Sequence, residues 1–173
     1  DLWAIDEVHF QQHGSRCRMW IPPEEKDPVL MHEPTRCSVG YFGAVRLRDG
    51  KFVYKREITK FNAETFLAFL KQLRKASCQS GKKVIILSDN ARYHHAALHK
   101  NYRESCADRF ALEFLLPYSP DLNPIERVWK LTRRCCTHNQ YFASIENLTS
   151  VVETKFDEWA KSSEVLRKLC AIK

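Results

Sequence analysis

Long apolar runs are missing from this chain of 173 residues: its longest uninterrupted aliphatic stretch is Val84 to Leu87, far short of the roughly 20 residues a membrane span needs. No signal peptide is visible either. The seven cysteines form no C-x-x-C pair and are odd in number, which leaves neither a disulfide framework nor a paired zinc motif. Cys135-Cys136-x-His138 is a cluster with metal-binding residue types, but no partner pair has ligand spacing. Both cysteines fall on the apolar arc of a helix and read as buried, reduced thiols of an intracellular protein. Repeats, low-complexity tracts and internal linkers are also missing, so residues 1–173 read as one domain of ordinary size. No Ser-His-Asp or Cys-His constellation supplies a covalent nucleophile.

Charge and pattern are what the chain does have. Lys and Arg total 28 against 21 Asp and Glu, and the formal charge of +7 favours a polyanionic partner. Leu2, Ala4 and Asp6 alternate with Trp3, Ile5 and Glu7, a strand that sends Asp6 and Glu7 to opposite faces. Phe10 to Pro34 reads as irregular, with a turn at Gly14, an extended segment over Arg16 to Ile21, and Pro22, Pro23, Pro28 and Pro34 opposing regular structure. Arg16, Arg18 and Trp20 in that loop suit nucleic acid or a partner, or simply solvent. Arg36 to Leu47 and Lys51 to Ile58 form a hairpin about a two-residue Asp49-Gly50 turn, pairing Leu47 with Phe52 and Val45 with Tyr54.

Asn62 caps a helix to about Cys78 whose inward side is Phe66, Phe69, Leu70 and Leu73. "KVIILS" is a strand apolar on both faces, and Asp89 follows its end. A helix from His94 or His95 to about Ala107 leads to "FALEFLL", the next buried strand. Ser144 caps a helix with Ile145, Leu148, Val151, Val152, Phe156 and Trp159 inward, and a last helix holds Val165, Leu166 and Leu169. This order makes an α/β sheet covered on both faces. Sites in such sheets gather beyond the carboxyl ends of parallel strands.

One stretch organises the rest: "LLPYSPDLNPIERVWKLTRR", Leu115 to Arg134. Pro117 ends an apolar strand. Asn123 and Pro124 then start a helix as N-cap and first residue. Ile125, Val128, Trp129, Leu131, Cys135 and Cys136 share its apolar arc, while Glu126, Lys130, Arg133 and Thr137 lie opposite, flanked by Arg127 and Arg134. Asn123-x-x-Glu126 also has the form of a capping box, and Glu126 with Lys130 that of an i,i+4 ion pair. The two readings of Glu126, cap or outward-facing functional acid, stay open on this stretch alone.

"AIDE", "LSDNARYHH" and "LPYSPDLNPIERVW" together closely resemble the catalytic domain of mariner-type DDE transposases, most of all the bacterial insertion-sequence branch. The motifs come in family order from Asp6 to Trp129, and the 36 residues between Asp89 and Glu126 fit the family's mid-thirties spacing. The resemblance implies an α/β, RNase H-like mixed five-stranded sheet with helices on both faces and its first and fourth strands adjacent. It selects Asp6 over Glu7, and implies that Asp6, Asp89 and Glu126 are catalytic and hold two Mg²⁺ or Mn²⁺ ions. Such ions want oxygen ligands. Three clustered acids without them would repel and titrate as a coupled set.

The implied activity is nicking at an element's ends, then attack of the freed 3′-OH on target DNA. The implied partners are element-end and target DNA, with a homodimer left open and neither membrane nor small-molecule substrate. The setting is the cytoplasm or nucleoid of a bacterium, or a eukaryotic nucleus. Arg16, Arg18, Arg127, Lys130, Arg133 and Arg134 are the candidates for phosphate contact. Asn90 orients Asp89 or makes the turn, Asn123 supports Glu126, and His94 and His95 are expected on a helix surface. Family members carry helix-turn-helix domains before the first acid, and the opening at Asp1, without an initiator Met, is the expectation for an excised or truncated protein lacking them. The rival readings are an RNase H-like endonuclease without strand transfer, against which "DLNPIE" argues, and a domesticated or inactive DNA-binding domain, disfavoured by the presence of all three acids.

Overall fold

The computed structural model describes residues 1–18, 20–24, 29, 31, 34–78, 81–117 and 119–172. The opening alternation extends further than its first residues suggest, because Val8 and Phe10 continue it. Strand β1 therefore runs Leu2–Gln11. It pairs antiparallel with β2 (Ser38–Arg46), which pairs antiparallel with β3 (Phe52–Glu57). Helix α1 (Ala63–Ser77) starts at Asn62, whose side chain accepts from the Glu64 and Thr65 N–H groups while Thr65 Oγ1 accepts from the Asn62 N–H. That reciprocal box satisfies otherwise orphaned donors.

Strand β4 (Val84–Ser88) then enters parallel to β1. Two 3-10 turns, Arg92–His95 and Ala97–His99, and helix α2 (Lys100–Cys106) lead to β5 (Phe110–Phe114), parallel to β4. A 3-10 turn at Pro120–Leu122 precedes α3 (Ile125–Cys136). Ser144 and Ser163 cap α4 (Ile145–Glu158) and α5 (Glu164–Leu169).

The sheet order is β3-β2-β1-β4-β5. This is the mixed five-stranded RNase H-like sheet expected from the resemblance, with first and fourth strands adjacent. Two cores flank it. Trp3, Ile5, Phe42 and Ile86 pack under Phe66, Phe69, Leu70 and Leu73 of α1. On the other face Ala4, Val8, Phe10 and Tyr41 pack under Trp129, Val152, Phe156 and Leu166 of the C-terminal helices.

Several details depart from the sequence reading. The hairpin pairs Val45 with Phe52 and Gly43 with Tyr54, a slip of two residues that leaves every side chain on its expected face. The turn is wider because the Arg46 guanidinium grips Asp49 at 2.8 and 2.7 Å and Gly50, at φ 69°, donates to Arg46 O. The inward side of α3 is Ile125, Val128, Trp129, Thr132 and Cys136. Thr132 is tolerated there because its hydroxyl bonds back to Val128 O at 2.9 Å, and Cys135 is turned to solvent. Val151 and Val165 are likewise exposed.

Strands β4 and β5 are only half covered: Ile85 and Leu116 are exposed, and Leu87 and most of β5 half-buried. The reason is that α3 packs on β1 and β2, and α4 on β2 and β3. The segment from His94 to Ala107 is two 3-10 turns and a short helix, not one helix. Between Arg16 and Pro34 the described residues form no strand; Met19, Pro28 and Tyr118 lie outside the described set.

Gly43, opposite Asp6 on β2, leaves the space that the Trp129 ring fills; a Cβ there would run into Trp129 and crowd Phe52. Gly43→Ala should therefore cost about 1–3 kcal/mol through overpacking, read as a lower urea midpoint with altered tryptophan fluorescence. An unchanged midpoint would show that the ring has room to move.

Candidate active site

The parallel ladder between β1 and β4 runs from Leu2–Ile85 to Ala4–Leu87 and then stops. β4 ends at Ser88, while β1 continues beside β2. Asp6 thus sits within a strand that runs on to Gln11, but it stands just past the last β1–β4 pair. Asp89 follows β4 directly. The chain leaving β5 crosses this fork and enters α3, bringing Glu126 to the same place. Asp6, Asp89, Asn90, Asn123 and Glu126 line one cavity of about 440 Å³, walled by Leu115, Leu116 and the prolines that follow.

Two contacts dock the start of α3 on β1. Asn123 is extended at φ −87°, ψ 108° and Pro124 is already helical, the backbone of an N-cap. Its side chain does not cap, however: Asn123 Nδ2 donates to Ile5 O at 3.0 Å, its Oδ1 is buried and accepts no hydrogen bond, and its own N–H is taken by Pro120 O at 2.9 Å. The capping-box reading of Glu126 therefore fails here, because the bond to β1 turns the asparagine side chain away from the helix start and Pro120 O takes the backbone N–H that Glu126 would have accepted from. The second contact is Trp129 Nε1, which donates to Asp6 Oδ2 at 3.0 Å from a ring that is itself buried. Burial, followed by the charges of Glu7 and Glu126, pushes the Asp6 carboxyl up to about 7, despite the Trp129 hydrogen bond.

The other side of the fork is held by a histidine that sequence reasoning put on a helix surface. His94 is fully buried, its ring 4.1 Å from that of Phe66. Its Nδ1 lies 2.8 Å from Asp89 Oδ1 and its Nε2 3.0 Å from Glu7 Oε1. Burial presses the imidazole down, but hydrogen bonds and charges from Asp89 and Glu7 outweigh it and lift the group to about 9. The same His94 bond holds Asp89 below the usual carboxylate range against partial burial. Glu7, Asp89 and His94 are close enough to share an ion, but both ring nitrogens already face carboxylates. That trio is an ion-paired support; the open oxygens belong to the cavity. Asn90 donates to Leu115 O and is met by His95 Nε2 at 3.2 Å, so it ties the turn after β4 to the chain leaving β5.

The cationic candidates are less gathered than the acids. Lys130 and Arg134 are exposed on α3, and Arg133 is half-buried with its guanidinium 5.6 Å from the Phe10 ring centre. Arg127 Nη1 donates to Leu169 O and Ala171 O, anchoring the end of the chain. Arg16 and Arg18 are exposed beyond Ser15, which bridges to His138 past the far end of α3. A helix of 12 residues spans about 18 Å, so those two arginines stand apart from Glu126. Trp129, Glu7 and His94 are what the sequence reading missed as site residues. The alternation of β1 was the available signal for Glu7, and its opposite face led toward His94.

Asp6 binds its proton more tightly folded than unfolded, so stability falls as pH rises from about 4 to about 7. In metal-free buffer Asp6→Asn should abolish that decline and melt a few degrees above wild type at pH 8, with the two alike at pH 4. His94, whose raised value adds stability that is lost as pH rises from about 6.5 to about 9, is common to both proteins. Parallel melting curves across this range would overturn the reading of Asp6.

Comparison with known proteins supports the same picture. The chain is similar to the Mos1 transposase paired-end complex with left transposon end at 19% identity and a TM-score of 0.74, covering 98% of this chain and 51% of that one. The Mos1 mariner paired end complex with Mn matches at 20% identity and TM-score 0.70, covering 98% and 51%. The catalytic domain of Mos1 mariner transposase matches at 17% and 0.66, covering 98% and 74%. These likenesses establish the fold, and the chain spans about half the length of the transposases in the two paired-end complexes. No curated protein matches the sequence significantly. A family model described as DDE superfamily endonuclease matches residues 1–149, and with most of the chain so matched, the protein belongs to the DDE superfamily endonucleases.

Proposed function

We propose that this chain is the catalytic domain of a mariner-type transposase of the bacterial insertion-sequence branch, cleaving DNA strands and joining a freed 3′-OH to target DNA. The observation that carries the proposal is the convergence of Asp6, Asp89 and Glu126, from three separate elements, on one cavity. The donor set fits Mg²⁺ or Mn²⁺: it is all carboxylate oxygen, and the like charges around half-buried Asp6 favour added positive charge. When bound, two such ions supply activation of the attacking oxygen and stabilisation of the leaving one in an in-line displacement.

The chain's own residues do the rest. Trp129 and Asn123 lock α3 to β1, so that Asp6 and Glu126 keep a fixed separation. Asn90 holds the wall against which a strand would lie. Lys130 and Arg134 extend outward from Glu126 along α3 and suit phosphates, which position a duplex without reading it. Arg133 joins them at the edge, while Arg16 and Arg18 would meet more distant backbone and Arg127 is committed to the C-terminal carbonyls. The matched Mos1 assemblies contain transposon-end DNA and Mn, which supports element ends as partners and divalent ions as cofactors here. No helix among the described residues is long and apolar enough to cross a membrane.

Three measurements test this. Nicking of a supercoiled plasmid with Mg²⁺ or Mn²⁺ should vanish in Glu126→Gln, while the metal-free protein melts no lower than wild type. Wild type should gain roughly 2.7 kcal/mol from Mn²⁺ at a hundredfold excess over Kd, and the variant much less. Retained nicking and a retained Mn²⁺ shift would remove Glu126 from the site. Separately, Lys130→Ala should weaken binding to all DNA sequences alike and flatten the salt dependence by about one unit of slope; an unchanged slope would make this row a solvated helix face.

A further inference from the structure

His94 is a fully buried polar side chain whose two nitrogens both point at acids. Its Nδ1 is nearer to Asp89 Oδ1, at 2.8 Å, than to Ser88 Oγ at 3.1 Å or to the Asp89 carbonyl at 3.3 Å. Asp89 Oδ1 also accepts from the Ala91 N–H at 3.2 Å. One carboxylate oxygen is therefore taken up by two donors from the turn behind it. On the far side of the ring, Glu7 Oε1 lies 3.0 Å from Nε2, and the Glu7 side chain is only 10% exposed. Phe66 and Tyr93 close on the ring at 4.1 and 4.5 Å between centres, which leaves it little freedom to rotate.

We propose that His94, braced by Glu7, is a positioning residue for Asp89: it occupies Oδ1 and leaves Oδ2 as the oxygen presented to the cavity. This rests on the metal-site reading of Asp89 given above and adds how that ligand is aimed. The geometry is that of an outer-shell support, in which a buried hydrogen-bonded partner fixes a ligating carboxylate and its loss weakens metal affinity. It also gives Glu7 a role distinct from that of Asp6. The pleat of β1 sends neighbouring residues to opposite faces, so Asp6 opens on the cavity and Glu7 reaches the histidine behind it.

The test is calorimetric titration of the metal-free chain with Mn²⁺. Replacing His94 or Glu7 by Ala should weaken binding about 10- to 100-fold. Glu7→Gln keeps an oxygen that can accept from Nε2–H and should stay within roughly threefold of wild type. If Glu7→Gln loses binding as fully as Glu7→Ala, Glu7 acts through its charge or as a direct ligand, and the positioning role is overturned. Thermal midpoints of the metal-free variants show whether each is folded; should His94→Ala not fold, the Glu7 pair decides.

Asp89→Asn separates the two levels. If it abolishes Mn²⁺ binding while His94→Ala and Glu7→Ala bind like wild type, only the positioning role falls. If Asp89→Asn itself binds like wild type, the metal-site reading falls and this proposal with it.

Discussion

The parallel ladder between β1 and β4 ends after Ala4–Leu87, and the site depends on that ending. Past this point β4 ends at Ser88, while β1 stays paired with β2 as far as Gln11. A fork results at the carboxyl end of β4, where a polar side chain from each strand can face the same space. Had the parallel pairing run on through Asp6, the neighbouring strand would have filled the ground on which Glu126 arrives. The crossover through α2 and β5 then delivers α3 to this fork. Its first turn is docked by a hydrogen bond to the β1 backbone, which fixes its position independently of side-chain packing.

From this fork the two faces of the sheet serve one cavity. The pleat assigns Asp6 to the core beneath α3 and Glu7 to the core beneath α1, where Trp129 and His94 meet them. Burying acids is costly unless each finds a donor. Each core supplies one: an indole N–H that remains a donor at every pH, and an imidazole raised to about 9 by the acids it bridges. Asp6 is less compensated than Asp89, which is why its carboxyl rises to about 7 while Asp89 is held low. The fold thus keeps one acid firmly ionised and another near neutrality within a single cavity, a difference produced by surroundings and not by residue type.

Local rules carried far where they had no tertiary competitor. Asn62 and Ser144 cap as their sequences indicate, and Ser163 does the same, each accepting from N–H groups of the helix it starts. Asn123 has the same cap backbone, but a carbonyl on β1 lies within reach, and the amide goes there. Asp49-Gly50 is a two-residue turn in isolation; beside Arg46 the aspartate is drawn into a bidentate pair and the turn widens. Cys135 and Thr132 exchange places relative to their polarity because a threonine can satisfy its own hydroxyl within a helix. His94 was misplaced for a related reason: hydropathy puts histidine at a surface, and only two converging carboxylates make its burial stable.

By itself the sequence determined the five strands and the longer helices, the faces of β1, most of the helix stripes that form the cores, and the spacing of three acidic motifs whose pattern marks the family. The elements and faces follow from periodicity and capping, which act over a few residues and need no knowledge of neighbours; the motif spacing carries meaning only through its resemblance to the family. Tertiary structure alone decided where the β1–β4 ladder stops, that Asn123 abandons its cap, that Trp129 holds Asp6, and that His94 joins Glu7 to Asp89. Each of those contacts links residues about 80 or more positions apart, apart from the His94–Asp89 bond. Their strength comes from desolvation and geometry that exist only once both cores have closed.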